Sequence, residues 1–212
     1  MMRNILPTVL DTKCNNIYLE ERSVAKSVAE DVVGPQSAGV WDFVIPPVFF
    51  INLFKHKRKK EAFVLNLLFT KKLALEAARD MVDRDLTREA ALAQADAATN
   101  SVLAGDSKGV YSDRVRQKQL REIELLVDHY HRLIMTEGKT FEYMLQGAYK
   151  SKADYLEFAR KLSRAEKEVN HAALQTVGRN AAARDFIDRM EEAVEAIRQS
   201  DAGKYFPEGT GE

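Results

Sequence analysis

Two carboxylate-x-x-His pairs come nearest to chemistry in type and spacing, Asp128 with His131 and Glu168 with His171. The second has the Glu-x-x-His form with which carboxylate bundles hold paired metal ions, each pair projecting into the bundle core. Helical phase tests that reading. At 3.6 residues per turn, Glu168 and His171 point roughly 140–160° away from the apolar stripe of their helix. That stripe is Tyr155, Ala159, Leu162, Val169, Ala173 and Val177. Asp128 also faces outward, and His129 and His131 flank their own stripe about 160° apart. A di-metal site needs single glutamates from two further helices; Glu76 and Glu192 can be nominated, but nothing singles them out. The pattern predicts surface or boundary histidines with local pairing and no resident metal or other cofactor. A helical di-metal protein using Asp128, His131, Glu168 and His171 stands as a rival reading.

Nucleophilic catalysis finds no foothold. The chain has no Gly-x-Ser-x-Gly elbow, and its one cysteine, Cys14, has no histidine near it in sequence. The stretch from Gly105 to Gly109 is too short and too acidic for a phosphate-cradling loop. Glu166 falls inside an apolar stripe, where a carboxylate is more often held by an Arg or Lys from a neighbouring helix than used in catalysis. No enzyme is predicted, and no small-molecule substrate is identified.

The elements that must position these groups are helices. From residue 48 to residue 104 there is neither glycine nor proline, which marks helix interrupted at most near Asp83-Arg84-Asp85, with Asp85 or Thr87 capping the next element. Asn15 or Asn16 is expected to cap a first helix that Gly34-Pro35 ends, leaving residues 1–13 irregular. Ser112 or Asp113, Thr140, Ser151 and Asn180 are the expected starts of later helices, and Gly138 and Gly178 the expected stops. Strand alternation is absent from the pattern. The reading is an all-α, antiparallel bundle of about six to eight helices with an apolar-basic central element.

That central element, residues 40–69, holds the most apolar and the most basic sequence in the chain. Between residues 40 and 54 only Asp42 and Asn52 are polar, and Pro46-Pro47 interrupts the run, so a helix can begin only at Pro47. A spanning helix needs about 20 apolar residues, so neither this block nor the second, residues 62–69, is one. Val48, Phe49, Phe50, Ile51, Leu53 and Phe54 leave no polar face, and such a helix must be immersed in protein or lipid. One reading is a core helix with the basic run on a solvated elbow. The other is a docking element that includes Trp41 and Phe43, with Trp41 at headgroup depth and residues 48–54 entering the acyl boundary. Lys55, Lys57, Arg58, Lys59 and Lys60 then meet an anionic surface. An apolar interface between copies, giving a homo-oligomer, is a third.

The totals narrow the partners. Lys and Arg number 32 and Asp and Glu 32, so the basic cluster is local and compensated elsewhere. A nucleic-acid binder acting through Lys55–Lys60 normally carries a basic excess on polar, exposed chain. The apolar flanks argue against it. A single cysteine permits no intrachain disulfide and fits a reducing compartment. The expectation is a cytoplasmic, non-enzymatic helical protein, peripheral at the inner face of a membrane or bound to a protein partner. Its parts are an arm and helix (residues 1–39), a docking segment (40–60), the bundle (61–200) and a flexible tail (201–212).

Overall fold

The computed structural model describes residues 8–33, 59–105, 111–177 and 181–207. Those residues form seven helices: α1 (Val9–Val32), α2 (Lys59–Asp83), α3 (Arg88–Gly105), α4 (Asp113–Met135), α5 (Phe141–Ala148), α6 (Lys152–Val177) and α7 (Ala181–Tyr205). No strand occurs among the described residues. The chain is an all-α helical bundle.

Side-chain caps set most of the helix starts. Thr87 Oγ1 accepts from the Ala90 amide at 3.2 Å, Ser112 Oγ from Val115 at 3.4 Å, Thr140 Oγ1 from Tyr143 at 3.4 Å and Ser151 Oγ from Asp154 at 3.2 Å. Asn180 lies outside the described residues. The first helix departs from the sequence reading. It begins at Val9 rather than near Asn16, because Thr8 and Asp11 form a reciprocal capping box, with Asp11 N to Thr8 Oγ1 at 3.0 Å and Thr8 N to Asp11 Oδ2 at 3.1 Å. Cys14 therefore sits inside a helix, half-buried. The end of the chain departs as well. In place of a tail from Asp201, α7 runs on to Tyr205, with Ala202 and Tyr205 buried and the Tyr205 hydroxyl donating to Glu20 Oε1 at 2.7 Å.

Cross-helix pairs give the direction of each helix. Glu21–Lys71 and Asp11–Arg79 run α1 against α2, and Arg88–Asp128 and Asp96–Arg116 run α3 against α4. Ser163–Glu195 and Asn170–Glu191 do the same for α6 and α7. Lys118–Glu168 and His129–Phe158 likewise set α4 against α6, so α2 and α4, with α3 as the return between them, are packed neighbours that lie parallel. Contacts close a ring in the order α1, α2, α4, α6, α7 and back to α1.

Apolar burial is divided between the two ends of this ring. Around α4, Ile123, Leu126, Val127, Tyr130 and Leu133 pack against Ala74, Ala77 and Ala78 of α2 and Ala91 and Ala95 of α3. The alanines let α3 approach closely. At the other end Val28 and Val32 of α1 meet Ala62, Phe63, Val64 and Leu68 of α2 and Phe186 of α7, with the rings of Phe63 and Phe186 edge to face at 5.8 Å. The second apolar block of the sequence, residues 62–69, is therefore largely bundle core.

Candidate functional site

Five helices closed into a ring leave an axial space, and between the two apolar clusters the sequence lines it with polar side chains. Thr70 and Lys71 come from α2, Gln119 and Glu122 from α4, Ser163 and Glu166 from α6, and Arg198 from α7. Val24, Val28, Phe63, Leu67, Met190 and Val194 form the apolar side of the same cavity, which encloses about 130 Å³. Lys167, Asn170 and Glu191 form a rim, where Asn170 Nδ2 donates to Glu191 Oε1 at 3.0 Å and the Lys167 side chain is 59% exposed.

Most buried polar groups here are satisfied. Arg198 donates to both oxygens of Glu166 at 2.7 Å and to Ser163 Oγ at 2.6 Å; Ser163 Oγ in turn donates to Glu195 Oε2 at 3.1 Å. Burial works against the guanidinium charge, but Glu166 overcomes it and raises the Arg198 pKa further. Lys71 pairs with Glu21, whose Oε1 also accepts from the Tyr130 hydroxyl at 2.7 Å. Burial pushes Glu21 up, yet Lys71 and the Tyr130 hydrogen bond outweigh it and leave the carboxyl below its usual range. Gln119 accepts from the Tyr111 hydroxyl and donates from Nε2 to Thr70 Oγ1 at 2.8 Å.

Glu122 is the exception. It is 7% exposed, lines the cavity, and accepts no hydrogen bond from any described residue. Burial, and then the negative charge of Glu166, push its pKa up to about 8, while Lys71 and Arg198 pull the other way. A carboxyl so placed holds its proton at neutral pH and can donate a hydrogen bond or, once ionised, bind a cation. Asn66, half-buried on the same wall, also has no hydrogen-bond partner among the described residues.

The sequence-predicted site residues fall elsewhere. Trp41, Phe43, Val48, Phe49, Phe50, Ile51, Leu53, Phe54, Lys55, Lys57 and Arg58 lie outside the described residues. Lys59 is the first residue of α2, and Lys60 beside it is exposed. Asp128 is held by Arg88 through two hydrogen bonds of 2.6 and 2.9 Å. Glu168 is held by Lys118 at 2.6 Å, and that hydrogen bond lowers its pKa. His171 faces solvent, its ring 2.8 Å from Gln175, while Glu76 and Glu192 are exposed. No group of three or more His, Cys, Asp or Glu side chains converges among the described residues.

His129 overturns the expectation of surface or boundary histidines. It is 6% exposed, stacked on Phe158 with ring centroids 4.3 Å apart, and its Nδ1 lies 2.7 Å from the Tyr149 hydroxyl. Burial depresses its pKa to about 3. Sequence reasoning located Glu166 but passed over Glu122, Gln119 and Arg198. A signal existed: Val115, Gln119, Glu122, Leu126, His129 and Leu133 recur at helical spacing, so two polar residues and a histidine share one core stripe.

Compared with protein-family models, curated proteins and solved structures, the chain shows no significant match.

Proposed function

We propose that this is a non-enzymatic helical protein that docks onto an anionic membrane surface through residues 40–60, with the bundle as its body. One observation carries the reading. The end of α1 (Val32, Val33) and the start of α2 (Ala62, Phe63, Val64) already meet in one apolar cluster. A helix–helix connection in a bundle typically takes about 2–8 residues, whereas residues 34–58 insert the chain's densest apolar and basic sequence at that point. Burial of Phe63 and Leu68 within the bundle narrows the docking element to the first apolar block and the basic run. Each Lys or Arg close to an anionic leaflet contributes about 1 kcal/mol. No helix of the described residues is long and apolar enough to cross a membrane.

Co-sedimentation with vesicles tests this. The protein is expected to pellet with phosphatidylcholine vesicles containing phosphatidylserine, to be released by high salt, and to bind weakly to vesicles of phosphatidylcholine alone. Replacing Lys57, Arg58, Lys59 and Lys60 by Gln should weaken attachment and leave helicity nearly unchanged. Absence of wild-type binding, or indifference to salt, overturns the lipid reading; self-association on a sizing column without vesicle binding supports an interface between copies instead.

A further inference from the structure

We propose that the cavity enclosed by α1, α2, α4, α6 and α7 binds a small organic cation, a primary ammonium on a compact apolar body, with Glu122 as its counter-ion. The inference is independent of the surface-docking reading.

Charge bookkeeping around the cavity selects the ligand's sign. Glu21 of α1 is neutralised by Lys71 of α2, and Glu166 of α6 by Arg198 of α7. At the rim Lys167 of α6 approaches Glu191 of α7 at 3.8 Å. Glu122 of α4 is the carboxyl left over. An anion entering here finds both interior cations already engaged, lies close to the charge of Glu166, and would hold Glu122 in its neutral form. A neutral guest leaves the site's electrostatics as they were. A cation completes the third pair, and Thr70 and Asn66 carry further side-chain oxygens among the residues that line the cavity.

Size and polarity select the rest. An engineered apolar cavity of about 150 Å³ admits benzene, and this one encloses about 130 Å³. Val28, Phe63, Leu67, Met190 and Val194 offer an apolar bed opposite Glu122. The guest is thus about one ring or a short branched chain in bulk, with a single ammonium head. The rim at Lys167, Asn170 and Glu191 is held by exposed or half-exposed side chains, which can part without disturbing the core.

Because Glu122 keeps its proton at neutral pH when the cavity is unliganded, uptake of an ammonium ion expels that proton, and binding strengthens as pH rises. Isothermal titration of the full chain with benzylammonium, benzyl alcohol and benzoate, three guests of nearly one shape, tests the assignment. Benzylammonium is expected to bind one per chain, at least tenfold tighter than benzyl alcohol, with benzoate weakest. Its affinity should rise about tenfold from pH 6 to pH 7. Glu122→Gln should lose at least tenfold and flatten that dependence. If the variant folds poorly, the wild-type protein still decides: titration at pH 7 in two buffers of different ionisation enthalpy should report close to one proton released per benzylammonium. Equal or tighter binding of benzyl alcohol or benzoate, no proton release, or no saturable binding of benzylammonium overturns the proposal.

Discussion

Arg198 of α7 and Glu166 of α6 face each other as a two-point pair, with hydrogen bonds of 2.7 Å to each carboxylate oxygen and the Arg198 side chain only 9% exposed. The pair joins the last two helices in the wall of the cavity. Removing one partner strands the other's charge in a poorly solvated site, which costs about 3–5 kcal/mol. Arg198→Met should therefore lower stability by that order in urea unfolding. The double change Arg198→Met with Glu166→Leu should recover most of the loss, since both charges go together. Additive losses in the double variant would show that the side chains matter through packing rather than through each other.

This pair also shows how far the sequence could be read. Glu166 announces itself as a carboxylate inside an apolar stripe, so its need for a cationic neighbour is visible in one helix alone; the neighbour's identity is not, because the register of α7 against α6 is a tertiary fact. Helix starts are legible where Ser112, Thr140 and Ser151 stand before apolar periodicity; at Thr8 they are not, because Pro7 breaks the chain just before it and the box with Asp11 precedes no strong apolar stripe. The cavity was the least legible feature. It exists only because five helices close a ring, and a stripe that mixes Gln119, Glu122 and His129 with Leu126 and Leu133 gains its meaning from what packs opposite.

Glu122 and His129 pull stability in opposite directions as pH changes. Glu122 is raised from an ordinary 4.5 to about 8, so between those values the folded state binds more protons than the unfolded one, and stability falls as pH rises. His129 is depressed from 6.5 to about 3, so across that interval the unfolded state binds more protons, and stability falls as pH drops. From pH 4.5 to 6.5 the two contributions oppose each other and give a plateau. Above 6.5 the Glu122 contribution dominates, and between pH 6.5 and 8 the wild type should lose about 1 kcal/mol or slightly more. Chemical denaturation at pH 5.5, 6.5 and 8 measures this; Glu122→Gln should abolish the alkaline loss and turn the flat stretch from pH 6.5 to 5.5 into a fall of about 1 kcal/mol, because His129 is then unopposed.

Gly138 occupies the turn between α4 and α5 at φ +88°, a conformation that side chains disfavour. A methyl there would also lie 2.9 Å from the Cβ of Tyr143. Gly138→Ala should cost about 1 kcal/mol or more, read as a lowered melting temperature with unchanged helicity at low temperature. The turn itself, rather than either helix, is the element strained.

Phe50 and Phe63 stand on either side of the basic run and should answer the same substitution differently. Phe63 is 1% exposed against Phe186 and within the cluster of Val28, Val32 and Leu68. Phe63→Glu puts an unpaired carboxylate into that cluster and should destabilise the bundle by several kcal/mol, well beyond the roughly 3–5 kcal/mol range expected of Phe63→Ala if the charge remains unpaired. Phe50 belongs to the proposed docking segment, where a carboxylate opposes entry into lipid or a partner. Phe50→Glu should therefore reduce vesicle binding while leaving the melting temperature within about 2–4 °C of wild type, the shift that 1 kcal/mol produces in a chain of this size. Thermal melts paired with vesicle sedimentation separate the two positions. A large loss of melting temperature in Phe50→Glu, with attachment unchanged, would place residues 48–54 in the core of the monomer and remove the basis for surface docking.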